Sequence, residues 1–160
     1  MFTTDTHHNG ITYLIQDRNK IMSNSVQELL EHKEFLDQPL HGDILVTGLG
    51  LGFINQYLLP RKDILSVTIV EKYQEVIDLV WDSCPRDDRF RIVHADADKW
   101  IPDWYFDWAW FDSWTDFYTT PQEKWMDMIE KKYKPYCENI FFWIPEEDRL
   151  KKEYINQPVP

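Results

Sequence analysis

Residues 42–71 constrain what this chain can fold into more than any other stretch. They read GDILVTGLGLGFINQYLLPRKDILSVTIVE: an apolar segment from Ile44 to Thr47, glycines at Gly48, Gly50 and Gly52, a helical segment from about Phe53 to Leu59, and a second apolar segment from Ser66 to Val70 that ends on Glu71. A strand that turns at once into a helix, with another molecule pressed on the turn, needs residues without Cβ, because glycine adopts φ > 0 and lets a partner approach the backbone. The start of the helix offers unpaired N–H groups. About twenty residues further on, a carboxylate at the tip of the next strand can accept hydrogen bonds from two ribose hydroxyls, and Glu71 is placed for that. The stretch predicts the first half of a nucleotide-binding α/β sheet.

The glycine spacing separates ligand classes. The dinucleotide pattern G-x-G-x-x-G would put its third glycine at position 53, which is Phe53. The pattern present, G-x-G-x-G, is the looser arrangement found in enzymes that bind S-adenosylmethionine. A purely structural turn would look the same, but the strand before it, the helix after it and Glu71 favour an adenosine ligand.

Around this core the apolar periodicity predicts an alternation of helices and strands. Val26, Leu29, Leu30 and Leu36 give a helix over about 26–37, stopped before Pro39 and capped by Ser23 or Ser25 with Glu28 in capping-box spacing. Its Glu28, Glu31 and His32 either line the ligand cleft or face water. A helix follows over 73–81, then a third strand over 90–94 leading to Asp96, Ala97 and Asp98 and a short helix. An acid such as Asp96 can accept the exocyclic amine of adenine or cap the helix. A fourth strand over 106–111 ends in Asp112, Ser113, Trp114, Thr115 and Asp116, at the sheet edge where open α/β folds place ligands. A helix from Thr120-Pro121 to about Lys132, a fifth strand over 139–144 and a charged helix over 146–154 complete the reading. Residues 1–10 are polar and expected to be frayed, with His7 and His8 as loop residues; 11–15 suggest one short strand and 17–20 a turn. The expected layout is an N-terminal extension, strand or loop, over 1–22 and one Rossmann-like domain over 23–160.

Composition narrows the partners. The 160 residues carry a formal net charge of −11 and no basic run longer than Lys131-Lys132, which argues against a nucleic-acid backbone and suits a small or cationic substrate. The 8 Trp, 8 Tyr and 9 Phe imply a core of large rings or a ring-lined groove. Cys84 and Cys137 lack metal-site or redox spacing, so neither a disulfide nor a zinc site is expected. No membrane span or secretory signal is expected, and the location expected is cytoplasmic, the host cytoplasm if the protein is viral.

The order strand, G-x-G-x-G, helix, strand-Glu, helix, strand-Asp, strand-Asp, helix, strand resembles class I S-adenosylmethionine-dependent methyltransferases over about residues 22–144. Within them it looks most like the spermidine synthase branch, and like small spermidine-synthase-like proteins of bacteriophage genomes. The resemblance implies a Rossmann-like, mostly parallel sheet with helices on both faces, shortened from the family's seven strands after the fifth. It implies S-adenosylmethionine, or its decarboxylated form, as cofactor. Gly48, Leu49, Gly50, Gly52 and Phe53 would form the loop under its methionine part; Glu71, with Lys72 beside it, would bind the ribose, and Asp96 with Ala97 the adenine. Asp112 would touch the cofactor and take a proton from the attacking group, while His32, Ser113, Trp114 and Asp116 would meet the substrate. No metal is expected, although Glu146 and Glu147 follow the fifth strand and Asp112 offers one oxygen ligand.

The departures bear on the reaction. The position two before Gly48 is Val46, where most methyltransferases have an acid. Aminopropyl transferases follow their aspartate with Ser, Ser or Thr, Asp and Pro; this chain has Ser113, Trp114, Thr115, Asp116 and Phe117. An Asn/Asp-Pro-Pro-Tyr is missing there too, which disfavours exocyclic-amine methylation of bases or glutamine. Three functions stay open: methyl transfer to a small acceptor, an amine suiting the acidic cleft; aminopropyl transfer from decarboxylated S-adenosylmethionine; and a non-catalytic module that binds or sequesters S-adenosylmethionine. A homodimer covering the sheet edge is a further expectation.

Overall fold

Apolar residues on both faces of successive strands bury them between helices. The computed structural model describes residues 1–114 and 120–144. Five parallel strands form the central sheet, β4 (Gly42–Thr47), β5 (Ile64–Glu71), β6 (Phe90–His94), β7 (Phe106–Phe111) and β8 (Cys137–Phe142), in the order β6-β5-β4-β7-β8. Alternation along them builds two cores. Ile44, Val46, Val67, Ile69, Trp108 and Trp110 face one way, towards α1 (Val26–Leu36), α2 (Asn55–Leu58) and α3 (Gln74–Val80). Leu45, Val70, Ala109 and Phe111 face the other, where Trp125, Ile129 and Tyr133 of α4 (Gln122–Tyr133) cover them. Near-continuous apolar strands of this kind are what a parallel sheet with helices on both faces requires. The architecture is the expected Rossmann-like one. Strand order reverses between β4 and β7, so the cleft forms at their carboxyl ends. No helix among the described residues is long and apolar enough to cross a membrane.

The N-terminus differs from expectation. Residues 1–10 are not frayed: β1 (Phe2–Thr6), β2 (Thr12–Gln16) and β3 (Asn19–Ser23) form an antiparallel three-stranded meander. Burial holds its near end, with Phe2 against the Tyr73 ring at 4.9 Å, the Phe2 N–H donating to Glu75 Oε2 (2.9 Å) and Leu14 in the core. The β2–β3 turn is Asp17-Arg18, both at positive φ (48° and 73°). Hairpin turns of that conformation favour Asn-Gly or Asp-Gly. Arg in the second place conceals the hairpin from a reading of turn residues.

Two expected helices and one strand also differ. α1 matches its expected span, with Ser25 Oγ accepting from the Glu28 N–H and the Ser23 N–H donating back to Glu28 Oε2 (3.3 Å). The helix expected from Phe53 is only Asn55–Leu58, because Gly52 has φ +67° and holds Phe53 and Ile54 in turns, and Pro60 follows. No helix follows Asp98: the Lys99 and Trp100 N–H groups turn back to the Asp96 carbonyl, and Pro102 prevents propagation. The last strand is Cys137–Phe142 instead of 139–144. Residues 115–119 and 145–160, with the charged helix expected over 146–154, lie outside the described residues.

Two outcomes follow from these elements. Arg18→Gly supplies the residue the turn conformation favours, and urea denaturation should show a gain of about 0.5–1 kcal/mol, part of the left-handed penalty being offset by glycine's chain entropy. Both cysteines are buried, and burial pushes the Cys137 thiol up to about 12 and the Cys84 thiol up as well. A thiol-specific reagent at pH 8 should label neither in the folded protein and both in guanidinium chloride.

Candidate functional site

A cavity of about 500 Å³ opens at the carboxyl ends of the parallel strands, a volume within the range of small-molecule sites. Gly48 makes its floor possible. It has φ +92°, and a Cβ there would stand 2.4 Å from the Asp112 carbonyl oxygen, so only glycine lets the loop after β4 cross the end of β7. Gly50 has φ +52° and faces β3, where a Cβ would meet Met22 Sδ at 2.2 Å; the Leu51 N–H points to that sulfur at 3.2 Å. The glycine loop is thereby packed between the sheet and the N-terminal meander. Gly48 and Gly50 line the cavity, whereas Gly52 and Phe53 line a shallower cleft beside Thr4 and Pro85.

Glu71 ends β5 with only 6% of its surface exposed. Its Oε2 accepts from the Leu49 N–H and its Oε1 from the Tyr73 N–H, each at 2.8 Å. Burial raises its pKa, and the backbone hydrogen bonds oppose the rise. Each carboxylate oxygen has more than one acceptor direction, so capacity remains on the cavity side, which Glu71 lines. Leu49 contributes its backbone here, its side chain being in the core.

Asp96 stands one strand away. Lys72 Nζ lies 3.3 Å from its Oδ2, and its Oδ1 accepts from the Asp98 N–H (3.1 Å). The neighbouring turn is pinned by α4: the Tyr133 hydroxyl and Lys132 Nζ donate to the Ala97 carbonyl (2.6 and 3.0 Å), and Trp125 Nε1 donates to Asp98 Oδ1 (3.0 Å). Lys72, Asp96 and Ala97 all line the cavity.

The opposite end holds Asp112, Ser113 and Trp114. Ser113 Oγ lies 2.9 Å from Thr47 Oγ1, and Trp114 Nε1 donates to the Thr120 carbonyl (3.2 Å). His32 does not reach the cavity surface. It is 1% exposed, between the Phe53 and Trp110 rings, with Nε2 3.4 Å from Asp112 Oδ2. Glu28, Glu31 and Trp143 join this wall, Trp143 Nε1 donating to Glu31 Oε2 (3.0 Å). Asp116 lies outside the described residues.

Glu28 and Asp112 hold protons more firmly than usual. Burial lifts the Glu28 carboxyl to about 7, against the favourable charge of His32. It also raises Asp112, opposed by the His32 hydrogen bond. His32 itself is raised, burial being outweighed by Asp112 and the Glu28 carbonyl.

Sequence reasoning missed the meander's part in the site: Phe2, Leu14, Lys20 and Met22 line the cavity wall facing the sheet. The alternation in Thr12–Gln16 was the available signal. It missed Trp143 too, one residue beyond β8.

No protein-family model and no curated protein matches the sequence. Solved structures do. DhpI in complex with SAM and HEP superimposes with a TM-score of 0.57 at 19% identity, over 83% of this chain and 62% of that one. Spermidine synthase with the transition-state analogue AdoDATO gives 0.62 at 16%, over 79% and 47%. The glycopeptide N-methyltransferase MtfA gives 0.54 at 19%, over 71% and 51%. The fold is therefore that of class I S-adenosylmethionine-dependent methyltransferases and spermidine synthases, and the chain spans less than two thirds of the length of each of these relatives.

Two measurements probe the site without a ligand. Glu71→Gln replaces an acceptor by a donor opposite one of two backbone N–H groups, and should lower stability by about 1–3 kcal/mol in urea denaturation. The cluster of Glu28, His32 and Asp112, neighboured by Glu31, binds more protons folded than unfolded. For Glu28 the window runs from the ordinary 4.5 to about 7; stability conferred by its protonated form is present below that window and lost as pH rises through it. In chelator-containing buffer, stability should fall by about 1–3 kcal/mol between pH 5 and pH 7.5, and Glu28→Gln should flatten most of that slope.

Proposed function

We propose that the cavity binds S-adenosylmethionine and that the protein transfers its methyl group to a small acceptor, an amine being the class that suits the site. The observation that carries this reading is the arrangement of one cavity, whose lining joins Gly48, Gly50, Glu71 and Asp96 with Asp112, Ser113 and Trp114. The relatives solved with SAM and with AdoDATO support it. The residues fit such a ligand. Glycines without Cβ leave room beside the loop, Glu71 keeps acceptor directions for two ribose hydroxyls, and Asp96 presents a carboxylate to an adenine amine. Gly52 and Phe53 would support the loop from behind.

When bound, the cofactor supplies a methyl group on a sulfonium, an electrophile that needs no acid. The chain's residues then have to align the acceptor and exclude water, and proximity supplies most of the rate. Glu31, Asp112 and the rings of Trp114 and Trp143 surround the acceptor end, a setting that stabilises a cation. Asp112 accepts the proton that the acceptor loses, a smaller contribution. Its raised pKa makes it a better proton acceptor than an exposed aspartate. Ser113, held by Thr47, offers a hydroxyl to orient the acceptor.

Aminopropyl transfer from decarboxylated S-adenosylmethionine is the second reading, favoured by the TM-score of 0.62 with spermidine synthase. Against it stands Trp114 in the place where those enzymes carry a small hydroxyl residue.

Calorimetry with S-adenosylmethionine, its decarboxylated form and S-adenosylhomocysteine ranks the readings. S-adenosylmethionine should bind best, and Asp96→Ala should weaken it at least tenfold without unfolding the protein. Absence of binding by all three would overturn the cofactor. With a panel of small amines, Asp112→Asn should lower turnover by about 10²-fold or more; preference for the decarboxylated form would select the second reading, and tight binding with no turnover would leave a binding module.

A further inference from the structure

Beside Asp112, α1 brings Glu28 and His32, one helical turn apart and so on one face, to the end of β7. His32 Nδ1 lies 2.8 Å from the Glu28 carbonyl oxygen. That oxygen only accepts, so Nδ1 carries the ring hydrogen, and Nε2 faces Asp112 Oδ2 at 3.4 Å. An N–H donor to a carboxylate normally closes to about 2.7–2.9 Å. At 3.4 Å the imidazole nitrogen and the carboxylate stand far enough apart for a positive species, a proton on Nε2 or a bound ion, to lie between them. The Glu28 carboxylate closes the third side, with one ligand atom from each residue within 4.8 Å of the other two. Among the described residues no Lys or Arg forms an ion pair with Glu28, Glu31 or Asp112.

We propose that Glu28, His32 and Asp112 form a binding site for one divalent cation of the Zn²⁺ or Mn²⁺ class, open to the cavity. The spacing agrees with this: two ligands each about 2.1 Å from an ion at a tetrahedral angle lie roughly 3.4 Å apart, the separation of His32 Nε2 and Asp112 Oδ2. The backbone carbonyl on Nδ1 is the outer partner that fixes the ring and tautomer of metal-binding histidines. One imidazole and two carboxylates select a borderline first-row ion over Ca²⁺. The Ser23 N–H engages only Oε2 of Glu28, which leaves Oε1 to ligate. Glu28 and Asp112 line the cavity while His32 lies behind them, so an ion held by the three has protein at its back and open positions towards the cavity, as in catalytic rather than structural zinc sites.

This inference goes beyond the cofactor reading and does not depend on it. With the ion in place Asp112 is a ligand instead of a free base, and Glu31, which the ion does not use, remains for the positive charge of an acceptor.

The test uses the full chain stripped with a chelator and dialysed, then titrated with Mn²⁺ followed by electron paramagnetic resonance and with Zn²⁺ followed by calorimetry. One ion per chain should bind. Glu28→Gln and Asp112→Asn, near-isosteric changes whose folding is checked by circular dichroism, should each weaken it at least tenfold. No binding up to 1 mM of either ion, or binding equally tight in both variants, overturns the site and leaves a proton as the species between His32 and Asp112. S-adenosylmethionine calorimetry on the same stripped protein separates the two claims: cofactor binding without ion binding overturns the metal site alone, and ion binding without cofactor binding overturns the cofactor alone.

Discussion

A buried carboxylate held by backbone, not by a cation, organises this molecule. Glu71 sits at the end of the second strand of its sheet and takes the N–H of Leu49 from the glycine loop and that of Tyr73 from the entry to α3. A charge in that position is costly unless hydrogen-bonded. The two bonds that make it tolerable also fix the turn after β4 and the start of α3 relative to each other. Gly48 completes the constraint from the other side, because its missing Cβ lets the same turn lie on the backbone of Asp112. Glu71 and Asp112 are thus both placed by one loop of a few residues.

The N-terminal meander gives this half-site its opposite wall. A sheet of five strands with a glycine loop presents an open cleft, and no part in walling it was expected of the first residues. Met22 on Gly50 and Phe2 on Tyr73 instead fold the first strands over the cleft, so that apolar meander residues face the acids of the sheet. Such a wall lowers the exposure of the cleft to water, which strengthens the electrostatic effect of charges lining it, Asp112 and Glu31 among them. It does so with small strands whose anchoring points are few.

How much of this was legible follows from how local each cause is. The strands at 44–47, 90–94 and 106–111 were readable because both their faces are apolar, a property carried by the residues themselves. The Gly48, Glu71, Asp96 and Asp112 positions were readable because each ends such a strand. The meander was not, since its register rests on contacts with Tyr73 and Glu75 far along the chain and its tight turn uses Asp17-Arg18 in place of a glycine. Gly52 and Phe53 were placed with the cofactor by the family resemblance; in three dimensions Gly52 packs on Cys84 and Phe53 on His32 and Tyr57. His32 could be nominated from α1, but its burial beside Asp112 depends on how that helix crosses the sheet, which no periodicity encodes.

The grouping of Glu28, His32 and Asp112 has a cost that the fold tolerates for a reason. An unligated cluster of two carboxylates and an imidazole in a partly dry wall is stabilised by protons at low pH and strained as they leave, so the ligand-free protein carries a weak point beside its cleft. Replacing those three residues with apolar ones of similar size would be expected to stabilise the fold. A positively charged occupant removes the strain where protonation otherwise would, and its affinity then grows with pH as the competing protons dissociate. On the two proposals, an acceptor amine would relieve the wall through Glu31 and Asp112, and a divalent ion would relieve it through all three residues of the cluster. The two differ in what they demand of His32. An amine would make no demand on His32, whereas an ion would take its Nε2 as a ligand, the ring being already held through Nδ1 by the Glu28 carbonyl.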